Sequence, residues 1–239
     1  MIKDTKKKGF TMAEMLVCLA VISVVATILI PTLGRIKPDK EKTMFKKAYS
    51  IAERVIYELV NDGELYPSTD IHAGFDNVKE VIYNDETYGA EIDESLNVQP
   101  EEGDTEEEIA QKLLKQQQYQ AQTHAAKSKF CQLFAMKLNT LSPTPVCSPD
   151  TNTVSFTTTD GVQWIMPYTN FLDDDIEYYN ILVDVNGDKE PNTFDIDGEE
   201  EACEGGVDRF AIQVRADGKM RITGRCAKRY LQEMSIMHH

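Results

Sequence analysis

Basic residues are scarce in this chain. Its 239 residues include 25 Lys and Arg against 40 Asp and Glu, which gives a formal net charge of −15. A nucleic-acid partner needs a basic face that neutralises phosphates, so this balance argues against nucleic acid as a partner. Acidic clusters of this kind fit a solvated surface, good solubility or the binding of cations.

Sequence motifs for catalysis are missing as well. The chain contains no GxSxG, HExxH or phosphate-binding loop pattern. None of its four histidines stands in a nucleophile or zinc motif; they are His72, His124, His238 and His239. We therefore expect no enzymatic activity. The alternative is an exported ligand-binding or enzymatic domain, attached to an uncleaved N-terminal helix, whose site converges only in space.

Cysteines are few, and their distribution is uneven. Cys18 lies in an apolar run. The other four cysteines lie far downstream, in the part of the chain that the sequence pattern predicts to be soluble. An even number of cysteines in an exported domain indicates two disulfides, for which three pairings are possible. We favour Cys131–Cys147 and Cys203–Cys226, because each closes a short local loop. The alternative is reduced thiols in a cytoplasmic protein.

One long run near the N-terminus carries no charge at all. It comprises the nineteen residues from Met15 to Leu33. As a helix it would be about 28 Å long, close to the roughly 30 Å of a bilayer's hydrocarbon core. A cleaved secretory signal fits poorly, because it needs a shorter apolar core and a small-residue cleavage site. A plain signal anchor fits the length but leaves the acid at its edge, Glu14, unexplained.

The stretch KKKGFTMAEMLV offers a reason for that acid. A short basic leader ends in Gly9, Phe10 follows it, and Glu14 stands at the fifth position after the glycine. The apolar run then continues and contains Pro31. This pattern closely resembles the prepilin-type leader of type IV pilins and type II secretion pseudopilins, and the resemblance extends over about Lys6–Leu33.

The resemblance implies how this segment is processed and assembled. A prepilin peptidase would cut between Gly9 and Phe10, and the new N-terminus at Phe10 would be N-methylated. Glu14 would then pair with the α-amine of a neighbouring subunit, inside a bundle of packed helices where both charges are desolvated. The alternative is a Glu14 side chain that reaches the lipid headgroups.

The resemblance also implies partners and a location. The partners would be other pilin or pseudopilin subunits, the prepilin peptidase, the inner-membrane assembly machinery and the membrane. The precursor would lie in the inner (cytoplasmic) membrane with its soluble domain outside the cytoplasm, and the mature subunit would enter a surface or periplasmic fibre. The distribution of basic residues does not favour this orientation, since six of them follow the run within 14 residues: Arg35, Lys37, Lys40, Lys42, Lys46 and Lys47.

The remaining pattern predicts an α+β fold with a pilin-like architecture. Apolar residues at steps of three and four from Phe45 to Leu59 predict an amphipathic continuation of the first helix. Thr105 and Glu108 form a capping-box pattern at the start of a further helix. Several β-type runs follow, with turn signals at Asp160-Gly161 and RADGK, so we expect about five antiparallel strands.

These patterns predict the following organisation. The segments are a prepilin leader (1–9), a transmembrane or assembly helix (10–34), its amphipathic continuation (35–62) and a globular pilin-like domain (63–239). Within that domain we expect an acidic, loop-rich insertion (68–105), an extra helix (106–141) and a small antiparallel sheet (153–225) on which the long helix packs.

The segment DVNGDKEPNTFDIDGEEEACEGGVDRF is a candidate calcium site. Its alternating acids resemble the start of an EF-hand loop, but Lys189 and Asp195 stand where that loop needs Gly and Glu. Some pilins and pseudopilins bind calcium in a similar C-terminal loop, and carboxylate and carbonyl oxygens suit Ca²⁺. The alternative is a solvated turn. The candidate ligands are Asp184, Asn186, Asp188 and Asp208.

Overall fold

Helices and strands are interspersed along the chain. The computed structural model describes residues 12–35, 40–67, 74–141, 147, 153–167, 171, 177–196 and 203–236. The α-helices are α1 (Met12–Arg35), α2 (Lys40–Asn61), α3 (Glu106–Lys137), α4 (Cys203–Gly206) and α5 (Arg225–Ile236). The strands are β1 (Val81–Tyr83), β2 (Glu86–Tyr88), β3 (Thr153–Thr157), β4 (Gln163–Pro167), β5 (Tyr179–Asp184), β6 (Arg209–Val214) and β7 (Met220–Ile222).

The chain divides into two units, Met1–Lys40 and Glu41–His239. Helix α1 belongs to the first unit, and nearly all of α2 belongs to the second. Residues 36–39 lie outside the described residues, so the predicted continuity of one long helix from 10 to 61 stays a prediction. The amphipathic helix itself is present as α2, and it buries the predicted apolar face: Phe45, Ala48, Ala52, Val55, Ile56 and Leu59.

The second unit contains the five-stranded antiparallel sheet, in the order β3-β4-β5-β6-β7. Every pair of neighbouring strands is consecutive in sequence, as expected when connections are short. Burial alternates along β3, β4 and β6, so each of these strands turns one row of side chains towards the core. The predicted α+β class and antiparallel sheet are therefore confirmed.

Two hairpins in this sheet turn in the same way. In the β3–β4 hairpin, the Thr158 N–H donates to the Val162 carbonyl at 2.9 Å. In the β6–β7 hairpin, the Arg215 N–H donates to the Lys219 carbonyl at 2.9 Å. Each loop therefore has three residues, not the two predicted for Asp160-Gly161. Gly161 and Gly218 end the loops at φ +85° and +79°, the left-handed conformation that this turn requires.

Helices α2 and α3 pack on the same face of the sheet. Phe45 of α2 stacks near Phe210 of β6, with ring centroids 4.3 Å apart. Phe134 of α3 meets Trp164 of β4 edge to face at 5.6 Å. Burying rings of this size contributes most of the core's hydrophobic stabilisation.

Helix α3 begins at the predicted residue, but it ends earlier than the sequence predicted. The Thr105 hydroxyl accepts from the Glu108 N–H, and the Glu108 carboxylate accepts from the Thr105 N–H at 2.9 Å, which completes the capping box. The helix ends at Lys137 and not at 141. Leu138 is extended and buried, and a bridge between Thr140 and Thr158 then draws the chain to the sheet.

A small hairpin occupies part of the predicted loop-rich insertion. Strands β1 and β2 pair antiparallel through Asn84 and Asp85, whose φ angles are 52° and 64°. Two successive positive φ angles are typical of a type I′ turn, which Asn and Asp tolerate better than most residues. The predicted acidic, loop-rich insertion (68–105) therefore contains this short hairpin.

A buried lysine of α3 binds the backbone of the segment just before this hairpin. Lys129 is only 1% exposed, and its ammonium donates to the backbone carbonyls of Asn77 at 3.0 Å and Lys79 at 2.9 Å. The same nitrogen lies 4.5 Å from the centre of the Tyr66 ring. Burial lowers the pKa of Lys129 to about 8, because desolvation penalises the charged form.

This lowered pKa predicts that stability rises at mildly alkaline pH. Between pH 8 and 9.5 the folded protein loses the Lys129 proton while the unfolded chain, with an ordinary lysine pKa near 10.4, keeps it. The unfolded state then binds more protons, so the free energy of unfolding should increase by about 1.5 kcal/mol over this range. Urea denaturation at several pH values measures this increase in the free energy of unfolding. The Lys129→Met variant should lack the rise, and an equal rise in both proteins would contradict the assignment.

Candidate functional site

Glu14 lies in the first turn of α1. A carboxylate is favoured there, because the unpaired N–H groups at a helix N-terminus carry partial positive charge. From Met12 to Val25 every side chain is exposed, including Leu16, Val17 and Ile22. A helix that is apolar on all sides is stable when lipid or other apolar helices surround it.

Polar groups within α1 are few. The Ser23 hydroxyl donates to the Leu19 carbonyl at 2.7 Å, so the helix itself provides its hydrogen bond. Cys18 has a free, exposed thiol. The predicted processing residues, Gly9 and Phe10, lie outside the described residues. In the part of the chain that the structure describes, no helix combines the length and apolar character of a membrane span.

Residues 4–30 match the family model of the prokaryotic N-terminal methylation motif. This motif is the prepilin-type signal of type IV pilins and pseudopilins, so the resemblance inferred from the leader is confirmed. The matched signal covers 27 of the 239 residues, and it supports a pilin-like or pseudopilin-like precursor. No curated protein and no solved structure matches the chain.

The four candidate calcium ligands lie near the end of β5 and the start of β6. Asp184 is fully buried, and its carboxylate accepts from the Arg209 Nε at 2.8 Å and from the Asn186 N–H at 3.3 Å. Burial raises the pKa of Asp184, and the Arg209 guanidinium opposes that rise. Asn186 is half-buried, whereas Asp188 is exposed.

The fourth candidate, Asp208, accepts hydrogen bonds from backbone N–H groups of the loop that follows β5. It is fully buried, and its carboxylate accepts from the Thr193 N–H at 2.7 Å and the Asn192 N–H at 2.9 Å. Among the described residues, no three His, Cys, Asp or Glu side chains are grouped to hold a metal. Asp184 and Asp208 thus hold the loop by accepting hydrogen bonds from its backbone. Calcium binding stays a prediction.

Another acid in this loop has a role that the sequence did not indicate. Asp195 accepts from the Cys226 N–H at 2.9 Å and from the Ala227 N–H at 2.7 Å, so it caps the start of α5. The residue before α5 is Gly224, which has no side chain to cap with. A Cβ at Gly224 would lie only 1.9 Å from the Asp195 carboxylate, so glycine leaves room for the distant cap.

Helix α5 itself was missing from the sequence prediction. Its buried residues, Cys226, Ala227 and Tyr230, recur at helical spacing and were a signal that could have revealed it. The cap could not have been found in that way, because Asp195 precedes Cys226 by 31 residues. Only the fold brings the carboxylate to the helix.

Removing this cap should destabilise the second unit. In the Asp195→Ala variant two buried N–H groups at the start of α5 lose their acceptor, so we expect the free energy of unfolding to fall by about 2 kcal/mol. Urea denaturation followed by circular dichroism measures the change. Glu190→Ala is the matched control, since Glu190 is exposed in the same loop. Equal effects of the two substitutions would contradict the capping role.

Both favoured disulfides are present in the structure. Cys131 pairs with Cys147 and Cys203 pairs with Cys226, across 16 and 23 residues of sequence. All four of these cysteines are buried. The second disulfide joins α4 to α5 next to the Asp195 cap, so the C-terminal helix is held both by a covalent bond and by backbone hydrogen bonds. Disulfides of this kind persist in an oxidising compartment outside the cytoplasm.

Proposed function

We propose that the chain is a structural subunit, a pilin or pseudopilin, that is cut before Phe10 and assembles through α1 into a type IV pilus or type II secretion pseudopilus. The observation that carries this proposal is the prepilin-type signal at residues 4–30. The exposed apolar surface of α1 around Glu14 supports it, because a helix bundle at the centre of a fibre would cover such a surface.

Cleavage creates a positive charge close to Glu14 in sequence. Hydrolysis of the Gly9–Phe10 bond creates a positively charged α-amine on Phe10, four residues before Glu14. Between packed helices, the carboxylate of one subunit pairs with the α-amine of another, and each charge compensates the desolvation of the other. A subunit in the wrong register would bury one charge without a partner, so the pair selects the correct register.

The second unit suits the exposed part of such a subunit. A helix, α2, packs on a small antiparallel sheet, with α3 as an extra helix before the sheet, and this arrangement is the one we expect of a pilin-like domain. Two buried disulfides fit export to an oxidising compartment. We therefore propose an inner-membrane precursor with this unit outside the cytoplasm, followed by incorporation into a surface or periplasmic fibre.

Cleavage by a prepilin peptidase tests the proposal directly. The full chain, expressed together with a prepilin peptidase, should lose Met1–Gly9 and gain one methyl group on the amine of Phe10. Intact-mass and N-terminal peptide mass spectrometry measure both changes. An N-terminus that stays intact would contradict the proposal and favour an exported ligand-binding or enzymatic domain on an uncleaved helix.

Two glycine variants make this experiment specific. Gly9→Val places a branched side chain next to the bond that is cut, and we expect it to block processing. Gly63→Ala is the matched control, because a Cβ at Gly63 meets nothing within 4 Å. Normal processing of Gly9→Val would show that the cut lies elsewhere.

A further inference from the structure

A basic groove lies on the second unit, in a chain that is acidic as a whole. It has a volume of about 220 Å³ and lies between α2, the end of α3 and the β3–β4 turn. Three cations line it, namely Lys47 and Arg54 of α2 and Lys137 of α3, together with one acid, Asp160. The groove therefore has a formal charge of +2 within a chain of −15.

The single acid of the groove engages only one of its three cations. The Lys47 ammonium lies 2.9 Å from the Asp160 carboxylate, and the Lys137 ammonium lies 5.3 Å from the centre of the Tyr83 ring. The exposed side chain of Arg54 has no hydrogen bond or ion pair with any residue that the structure describes. Glu58, one turn further along α2, does not line the groove.

A cluster of acidic residues lies at the far end of α3. We call residues 93–122 the arm; it consists of the first half of α3 and the segment that precedes it. The segment is fastened to the helix, since the Asp93 N–H donates to Gln122 at 3.0 Å and Lys112 pairs with Asp104 at 2.8 Å. The tip of the arm exposes three glutamates that pair with no described residue: Glu102, Glu106 and Glu107.

The length of α3 prevents the arm from reaching its own groove. Glu106 begins the helix and Lys137 ends it, and a rise of 1.5 Å per residue separates them by roughly 46 Å. An acidic tip that enters such a groove must therefore come from another molecule. Two different patches that bind each other make a heterologous contact, and repetition of such a contact builds an open filament when the rotation does not close a ring.

We propose that the acidic tip of the arm in one copy of this chain docks in the Lys47–Arg54–Lys137 groove of a neighbouring copy. This inference rests on the proposed fibre subunit, and it names the contact between globular units that would accompany packing of the α1 helices. Exposed ion pairs contribute little each. The contact thus selects the register and the orientation of the neighbour, as complementary charges do at other interfaces.

Reciprocal charge reversal tests the contact in fibres of the full chain. Arg54→Glu alters the groove and leaves the Lys47–Asp160 pair intact, whereas Glu106→Lys with Glu107→Lys alters the tip. Each variant should lower the yield of sheared fibres about fivefold, since one or two exposed charge pairs become repulsive. The protein that combines both changes should return to within about twofold of the wild-type yield. Lys189→Glu and Glu91→Lys, which change exposed charges elsewhere, are the controls and should have no effect.

Cross-linking provides a second readout that does not depend on yield. Wild-type fibres made from a mixture of isotopically light and heavy subunits are treated with a zero-length carbodiimide, which joins an amine to a carboxylate. Mass spectrometry should find Lys47 or Lys137 joined to Glu102, Glu106 or Glu107 in light–heavy pairs. Absence of such pairs, unchanged yields, or failure of the combined variant to recover would each overturn the contact while fibre assembly stands. A wild-type chain that forms no fibres would overturn the proposed function and the contact with it.

Discussion

Fibres should not form when Glu14 is replaced by alanine, although the protein should still fold. The substitution leaves the α-amine of Phe10 desolvated among packed helices without a counter-charge. Loss of one partner from a buried ion pair costs about 3–5 kcal/mol per contact, which corresponds to a loss of more than a hundredfold in association. Sedimentation of sheared fibres, with electron microscopy of the pellet, measures the loss.

Folding and processing must be checked in the same variant. The core of the second unit contains no residue of α1 among those described as buried, so the melting temperature of that unit should not change. Cleavage at Gly9–Phe10 should be followed by mass spectrometry to separate failed assembly from failed processing. Glu58→Ala removes an exposed acid from α2 and is the control. Normal fibres from Glu14→Ala would refute the pairing role of Glu14.

Removal of the disulfide between Cys203 and Cys226 should strongly destabilise the second unit. Replacement of both cysteines by serine should lower the free energy of unfolding by about 3 kcal/mol, because the closed loop of the unfolded chain gains conformational entropy. Both sulfur positions are buried, so the new hydroxyls add a small desolvation cost. Urea denaturation under oxidising conditions measures the difference. Wild-type protein treated with a reductant should show a loss at least as large, because it also loses Cys131–Cys147.

Cys18 provides the matched control for this experiment. It is the free cysteine among the described residues, and it lies in α1, outside the core. Cys18→Ser should therefore leave the urea midpoint of the second unit unchanged, with or without reductant. A Cys203→Ser/Cys226→Ser protein as stable as wild type would show that backbone contacts, including the Asp195 cap, hold α5 without the covalent bond.

Much of the second unit could be predicted because its signals are local. The spacing of apolar residues in α2 reports which face is buried, and the capping box needs only Thr105 and Glu108. The hairpin at Asp160-Gly161 was found from the glycine, although the loop has three residues instead of two. The two disulfides could be favoured because each cysteine pair is close in sequence.

Features that depend on distant contacts could not be predicted in this way. Asp195 caps a helix 31 residues away, and Lys129 reaches carbonyls 52 and 50 residues before it. Neither residue stands in a motif, and a lysine in a helix is ordinarily expected on its exposed face. Their partners are defined only after the sheet and the helices have packed.

The sequence by itself determined the signal of this protein, because the matched residues 4–30 form one continuous stretch of the chain. It also determined the periodicity of α2 and the start of α3, where each interaction spans one or two turns. The tertiary structure decided the basic groove, the arm and the loop held by Asp184 and Asp208. These features combine residues that lie far apart in sequence, and a charge acquires its partners only when the backbone fixes the distances between them.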